Sequence, residues 1–199
     1  FVLFWDNRDF PLNPTRGNAF RLKISRDFGL LDSSNSWTSI ESEVDLYFPF
    51  GPSDWLRQRV FAFDVWTSYS PTWDEEEDQT ITGRPPAYSG ATLGGLLRMK
   101  GFASQRFSDK AAIYYSAEMR LTPKWNPFES WPWLQRHVGV QWVQFAPFVE
   151  IGRVAPSWDL KDLHSDLKWC AGLAVRAFAK GLVVRVDSAA SEDGVNVQM

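Results

Sequence analysis

The sequence predicts an all-β protein, specifically a transmembrane antiparallel β-barrel to which this chain contributes about nine strands. Three observations point this way. Segment after segment alternates apolar and polar residues with the period of a β-strand. Aromatic residues make up 16% of the chain and include 11 Trp, many of them at the ends of the alternating segments. The polar face carries charges of both signs, as a polar barrel interior would.

The alternating segments follow one another along the whole chain. The first is short and weak, from Phe1 to Asp9, and a turn with two prolines, an Asn and a Gly follows it. The later segments run from Ala19 to Phe28, Ile40 to Phe48, Arg59 to Ser70, Ile113 to Leu121, Val138 to Val154, Trp169 to Arg176, Val184 to Asp187 and Val195 to Met199. Each has an apolar face and a polar face, so each is predicted to be a strand.

The connections between these strands differ in length. Lys180-Gly181 is predicted to be a tight turn, whereas Leu31 to Ser36 and Asp159 to Asp166 are polar loops. The acidic run from Asp74 to Asp78 is predicted to be a solvated loop face, and Trp125 to Trp133 is a Pro- and Trp-rich connection that fits no periodic template. Short turns at one end and longer loops at the other are typical of a membrane barrel.

A soluble β-sandwich is the alternative, since its strands alternate too. Mean hydropathy is −0.29, and no apolar run approaches the roughly 18 residues of a spanning helix. The feature that favours the barrel is the position of five tryptophans at predicted strand ends, where aromatic side chains mark membrane interfaces. These are Trp37, Trp55, Trp125, Trp158 and Trp169.

A long connection from Pro71 to Lys110 interrupts the alternation, and its glycine-rich part begins at Gly94. Glycines allow tight turns of the backbone, Lys100 supplies a positive charge, and Phe102 needs burial. The simplest interpretation is a solvated hairpin tip, but a loop this long is more often functional.

Four stretches occur in a characteristic order. They are the turn residues Asp6, Arg8, Asp9, Pro14 and Gly17; the loop residues Gly94, Gly95, Met99, Lys100, Gly101, Phe102, Arg106, Phe107 and Asp109; the strand residues Phe148, Glu150 and Gly152; and the segments Gly172 to Arg176 and Val183 to Asp187. Together they resemble the BamA/TamA superfamily of outer-membrane barrels, also called bacterial surface antigens.

This resemblance implies a periplasmic turn before the second strand, a loop folded back into the barrel lumen, and a strand around Glu150 that receives the loop. It also implies that residues 1–199 are one partial barrel domain, with 71–110 as the inward-folding loop. Family barrels have about sixteen strands, so nine would be the C-terminal half. The start inside an apolar run at Phe1, and an end at Met199 where family members usually have an aromatic residue, lead us to expect a piece of a longer chain.

The family usually has Arg where this chain has Lys100, and Asp where it has Glu150. Lys offers a point charge without the planar fork of Arg, but the longer carboxylate of Glu can span a similar gap. We therefore hypothesise a contact between Lys100 and Glu150 inside the lumen. In the alternative, both side chains face lumen water.

The residues give little support for catalysis or for nucleic-acid binding. The net charge is −3 with a pI near 5.4, which argues against a nucleic-acid partner. His137 and His164 are the available imidazole bases, and neither has a recognisable Ser or acid partner by motif. With Cys170 as the single cysteine, no metal-ligand spacing occurs. We expect neither an enzyme nor a cofactor.

The resemblance implies a protein of the Gram-negative bacterial outer membrane that takes part in insertion, assembly or translocation of other proteins. Its expected partners are outer-membrane lipid and unfolded outer-membrane proteins. An alternative is a barrel that anchors or exports a fused or partner domain, such as a lipase-like passenger, without insertase activity. A third possibility, an outer-membrane enzyme acting on lipid, rests on the two histidines alone.

Overall fold

The computed structural model describes residues 1–30, 36–51, 53–76 and 80–199. Over these residues the chain forms thirteen strands and two short helices. The strands are β1 Val2–Asp6, β2 Gly17–Asp27, β3 Trp37–Pro49, β4 Leu56–Tyr69, β5 Asp74–Glu75, β6 Ile81–Thr82, β7 Ala91–Leu93, β8 Phe107–Asp109, β9 Ala111–Pro123, β10 Val140–Ala155, β11 Lys168–Ala179, β12 Leu182–Ser191 and β13 Gly194–Gln198. The helices are α1 Pro132–His137 and α2 Leu160–Leu163. No helix in the described ranges is long and apolar enough to cross a membrane.

Nine of the strands form one antiparallel sheet in the order β1-β2-β3-β4-β9-β10-β11-β12-β13. Every strand pairs with the next long strand of the chain, so the sheet is an up-and-down meander. Its edges in the described ranges are β1 and β13, and it is therefore a partial barrel. The predicted strand number is confirmed, and the predicted boundaries differ from those observed by a few residues.

The two faces of the sheet differ in chemistry, as the alternation predicted. On the outer face, Val149, Trp169 and Val184 are exposed, because no part of the described chain covers them. On the inner face, charged side chains pair across neighbouring strands: Arg21 of β2 contacts Glu43 of β3, and Lys23 contacts Glu41 at 2.9 Å. Apolar groups outside and paired charges inside are what a barrel wall in lipid requires.

The long connection contains more regular structure than the sequence indicated. Two small ribbons, β5 with β6 and β7 with β8, lie inside it. Their strands have two or three residues each, which is too short for an alternation to be recognised. Asp74 and Glu75 of the acidic run are exposed in β5, while its last two residues lie outside the described ranges, as do residues 31–35 of the predicted polar loop.

Both helices lie in connections that were predicted to be irregular. Pro132 begins α1, where its fixed φ and missing N–H suit the first helical turn. The helix α2 begins after Asp159, whose carboxylate accepts from the backbone amides of Lys161 and Asp162. The prediction of an irregular loop was wrong there because a helix of one turn has no periodic signal in the sequence.

Candidate functional site

The glycine-rich part of the connection folds against the inner face of the sheet. Gly94 and Gly95 both have positive φ, at 112° and 101°, which an L residue adopts only with strain. A Cβ on Gly94 would lie 2.2 Å from the carbonyl oxygen of Ala103. The Gly95 amide donates to the Phe102 carbonyl at 3.2 Å, and the Gln105 amide donates to the Gly94 carbonyl at 3.3 Å. The loop therefore closes on itself and presents Met99 to Phe102 as its tip.

The tip is held by the carboxylate of Glu150 on β10. The Lys100 ammonium group forms an ion pair with Glu150 Oε1, and the Lys100 backbone amide donates to Glu150 Oε2 at 2.6 Å. The Glu150 side chain is completely buried, and that of Lys100 is only 6% exposed. The hypothesised contact between these residues is thus present, and the alternative in which both face lumen water is wrong. The Lys100 ammonium group also lies 4.4 Å from the ring centroid of Phe148.

Two residues that sequence reasoning missed complete the surroundings of Glu150. The Tyr114 hydroxyl donates to Glu150 Oε1 at 2.8 Å, and the Cys170 thiol donates to Oε2 at 3.3 Å. Both lie on strands next to β10, directly beside it in the sheet. In the observed register Cys170 lies opposite Glu150. These donors satisfy acceptor sites of a carboxylate that water cannot reach.

Glycine at two positions lets the loop approach the wall closely. A Cβ on Gly101 would lie 2.5 Å from the Cys170 Cβ and 3.0 Å from the Ser191 Cβ. A Cβ on Gly152 would lie 3.0 Å from a methyl group of Leu93 and 3.4 Å from the Met99 sulfur. One glycine therefore belongs to the loop and the other to the strand that receives it.

An apolar cluster anchors the loop on the inner face. Phe102 is buried and packs edge-on against Phe107, with ring centroids 5.0 Å apart. The rest of the cluster is made by side chains from the loop and from three strands, namely Trp66, Ala91, Leu93, Met99, Ala112, Tyr114 and Cys170. The cluster explains why the alternation in β4 and β9 includes large aromatic groups on the polar face.

The last two strands hold the carbonyl groups of the tip. Asn196 donates to the carbonyls of Lys100 and Phe102, each at 3.1 Å. Gln198 also donates to the Lys100 carbonyl at 3.1 Å, and Ser191 donates to the Gly101 carbonyl at 2.7 Å. Because these partners lie far from the loop in the sequence and carry no charge, no pattern in the sequence indicated them.

Two charged residues of the loop form ion pairs with distant parts of the sheet. Arg98 pairs with Glu43 of β3 at 2.8 Å and lies 4.1 Å from the ring centroid of Trp66. Arg106 pairs with Asp193, in the turn between β12 and β13, at 2.9 Å. Asp109, in contrast, accepts from the backbone amide of the adjacent Lys110 at 2.7 Å. The loop thus bridges β3 and the end of β12.

The predicted periplasmic turn makes a second structured site, at the other end of the strands. Arg8 donates to both carboxylate oxygens of Asp6, at 2.9 and 2.8 Å. Asp9 accepts from the backbone amides of Phe10 and Thr15 at 3.0 and 2.8 Å, and from the Thr15 hydroxyl. A Cβ on Gly17 would lie 2.6 Å from the carbonyl oxygen of Asn7. This close approach explains why position 17 is a glycine.

A chain of polar contacts leads from this turn into the lumen. The Arg120 guanidinium donates to the Pro14 carbonyl at 3.4 Å and to Glu118 at 2.6 Å. Glu118 also receives a 2.6 Å bond from Arg176, which in turn donates to Gln144 at 3.1 Å. A buried carboxylate held by two guanidinium groups was not foreseen, because Arg176 lies on β11 and meets Glu118 and Arg120 of β9 only in the folded sheet.

The two histidines lie away from both sites. His164 shares a hydrogen bond of 2.8 Å with the Tyr115 hydroxyl, and its other ring nitrogen lies 2.7 Å from the Leu160 carbonyl. His137 stacks on Trp133 with ring centroids 4.9 Å apart. In the ranges that the structure describes, no group of three or more His, Cys, Asp or Glu side chains could hold a metal ion.

An antiparallel sheet with an apolar outer face and a loop packed on a charged inner face defines the wall of a transmembrane β-barrel. The chain belongs to the Omp85 superfamily, whose domain profile matches residues 1–177. Among solved structures it is similar to BamA from Haemophilus ducreyi lacking POTRA domains 1–3, with 17% identity and a TM-score of 0.65. The match covers 100% of this chain and 40% of that one. No curated protein matches the sequence.

The predicted resemblance to a barrel of the BamA/TamA type is thereby confirmed. The structure also brings the predicted loop residues Lys100 and Gly101 against the predicted strand residues Glu150 and Gly152. What these residues do in the working protein stays a prediction.

Proposed function

We propose that this chain is part of a bacterial outer-membrane barrel that inserts other proteins into the membrane or translocates them across it. Membership of the Omp85 superfamily and the fold of BamA support this assignment. The outer face of the sheet contacts membrane lipid, and unfolded outer-membrane proteins are the substrates. Residues 1–199 act as one partial barrel domain, with 71–110 as the loop inside it.

The observation that carries the proposal is the buried contact of the loop tip with Glu150. Through this contact, and through Arg98 and Arg106, the loop ties β3 to β10 and to the end of β12. Strands tied together from inside move as one body. Lateral opening of the wall then has to occur elsewhere in the barrel, which gives an incoming strand a defined place to enter.

The contacts of the tip with β13 connect the loop to a sheet edge. Asn196 and Gln198 place their side chains on the tip, while the backbone of β13 pairs with β12 on one side within the described ranges. A strand edge presents free N–H and C=O groups that template another strand by β-augmentation. We infer that a docked loop keeps this edge straight and ready to pair.

This function needs no catalytic group. His164 is engaged by Tyr115 and by a backbone carbonyl, and His137 is engaged by Trp133. Both geometries are those of structural histidines, so we propose a non-enzymatic protein.

The test is insertion activity of the full-length protein. It would be reconstituted into liposomes, a urea-unfolded small outer-membrane barrel protein would be added, and the folded fraction would be followed by heat-modifiability on gels. We expect faster folding than in empty liposomes, and a loss of this acceleration for Lys100→Glu. A reconstituted protein that shows its own heat-modifiable shift but does not accelerate folding would contradict the insertase and favour the anchor or export pore.

A further inference from the structure

The connection between β10 and β11 folds back over the outside of the wall. Leu163 of α2 is fully buried, although the segment around it is polar. It packs with Ala111, Ile113 and Ala155, and Tyr115 flanks the cluster. Ala112 and Tyr114, which alternate with Ile113 and Tyr115 on β9, pack under the loop on the inner face. The side chains of Ile113 and Tyr115 therefore point away from the lumen. The connection therefore covers part of the surface that lipid would otherwise contact.

One tryptophan of this connection reaches sideways across the wall to β4. The Trp158 indole nitrogen donates to the Thr67 hydroxyl at 2.8 Å, and this hydroxyl donates to the Ala112 carbonyl at 2.8 Å. The first bond ties the indole to β4, and Trp158 as a whole is 47% exposed. A groove of about 510 Å³ remains beneath it, with Ile40, Ser42, Thr67 and Tyr69 among its lining residues.

We propose that this groove binds one acyl chain of a membrane lipid. The proposal goes beyond protein insertion and does not depend on it. The groove is continuous with the lipid-facing wall: Ser42 and Thr67 are cross-strand partners, and they follow the outward alternation of Leu46 and Val65. An occupant of this surface comes from the bilayer, and the hydrocarbon part of the bilayer is acyl chain.

The polar groups at the indole are already satisfied within the protein. The Trp158 N–H and the Thr67 hydroxyl are already bonded to each other and to a carbonyl, so neither needs a partner from the ligand. At the loop end of the groove, the Asp159 carboxylate accepts from two backbone amides of α2. The volume lies within the range of about 300–1,000 Å³ that is usual for small-molecule sites. The tethered indole forms one side, which suits a single flexible chain.

The test uses the full-length protein purified in detergent, with bound lipids counted by native mass spectrometry. Thr67→Val removes the acceptor of the Trp158 indole while keeping the shape of the side chain. Ser42→Phe fills the groove and leaves the Trp158–Thr67 bond in place. The matched control is Trp169→Ala, because Trp169 is 61% exposed on the outer face at the same end of a nearby strand.

We expect the wild-type protein to retain one lipid, and each groove variant to lower its occupancy about tenfold, as the loss of roughly 1.4 kcal/mol of binding free energy would. Trp169→Ala should leave occupancy unchanged. The heat-modifiable shift of each variant checks that it is folded, and the adduct mass tells a phospholipid from a lipopolysaccharide. The proposal is overturned if the wild type retains no lipid, if folded Ser42→Phe retains as much as the wild type, or if the bound mass is a polypeptide.

Discussion

Lys100 donates to the Glu150 carboxylate twice, once from its ammonium group and once from its backbone amide. One carboxylate therefore recognises both the side chain and the position of the loop backbone. A lysine in a loop that had moved by a few ångströms could keep the ion pair but would lose the amide bond. Both bonds therefore form only when the loop is in its docked position.

Removing one partner of this pair should cost more than removing both. Lys100→Met leaves a buried carboxylate without its counter-charge, and Glu150→Gln leaves a buried ammonium group, each at a cost of about 3–5 kcal/mol. The double variant should be less destabilised than either single variant, measured by urea unfolding in detergent. Additive effects of the two changes would show that the residues are not coupled.

The second prediction concerns the close approach at the loop tip. Gly101→Ala places a methyl group 2.5 Å from the Cys170 Cβ, so the tip must move away from the wall. We expect trypsin to cleave the variant at Lys100 in detergent, where the wild type is protected. Gly90→Ala is the matched control, since Gly90 lies in the same connection and a Cβ there has no neighbour nearer than 3.4 Å. Equal protection of both variants would contradict the close packing.

The third prediction concerns the carboxylate between two guanidinium groups. Glu118→Gln removes the charge that holds Arg120 and Arg176 together, and we expect it to destabilise the barrel by about 3 kcal/mol. Arg176→Met in the same chain should recover part of this loss, because the remaining like charges are then no longer adjacent. Glu41→Gln, which removes the partner of the more exposed Lys23, should cost only about 1 kcal/mol or less. Urea unfolding of the three variants would rank their losses of stability.

The fourth prediction concerns pH and the turn between β1 and β2. Burial alone would raise the pKa of Asp9, but hydrogen bonds from Thr15, Arg16 and Phe10 outweigh it and lower that pKa below its usual 3.8. A carboxylate with a lowered pKa stabilises the fold at neutral pH, and this contribution is lost as the pH falls through the lowered value. Asp9→Asn should therefore be less heat-stable than the wild type at pH 7, and the difference should shrink below pH 4. A difference that does not change with pH would mean that the charge plays no part.

The strands could be predicted from the sequence because each residue of a barrel wall faces either lipid or lumen, and the alternation records that choice. The partners of Glu150 could be predicted only in part. Lys100 stood out because charge and family resemblance both pointed to it, whereas Tyr114 and Cys170 look like ordinary members of alternating strands. Their role depends on register, which the alternation leaves undetermined by steps of two residues.

The outer connection shows a different reason for failure. Leu163 is a single apolar residue in a polar segment, and one residue carries no periodicity. Its burial comes from Ile113 and Ala155, which are brought beneath it only when the sheet has formed. Trp158 was expected at a membrane interface because it is a tryptophan. Its bond to Thr67 joins residues that are 91 positions apart, so no local sequence pattern indicates it.

Cys170 is the only cysteine of the chain and lies directly under the loop tip, where its sulfur accepts from the Gly101 amide at 3.4 Å. Its side chain is completely inaccessible while the loop is docked. A thiol reagent can therefore reach it only during the intervals when the tip has left the wall. The rate of alkylation, measured at a reagent concentration high enough that alkylation outpaces redocking, would give the frequency of that departure without any engineered label.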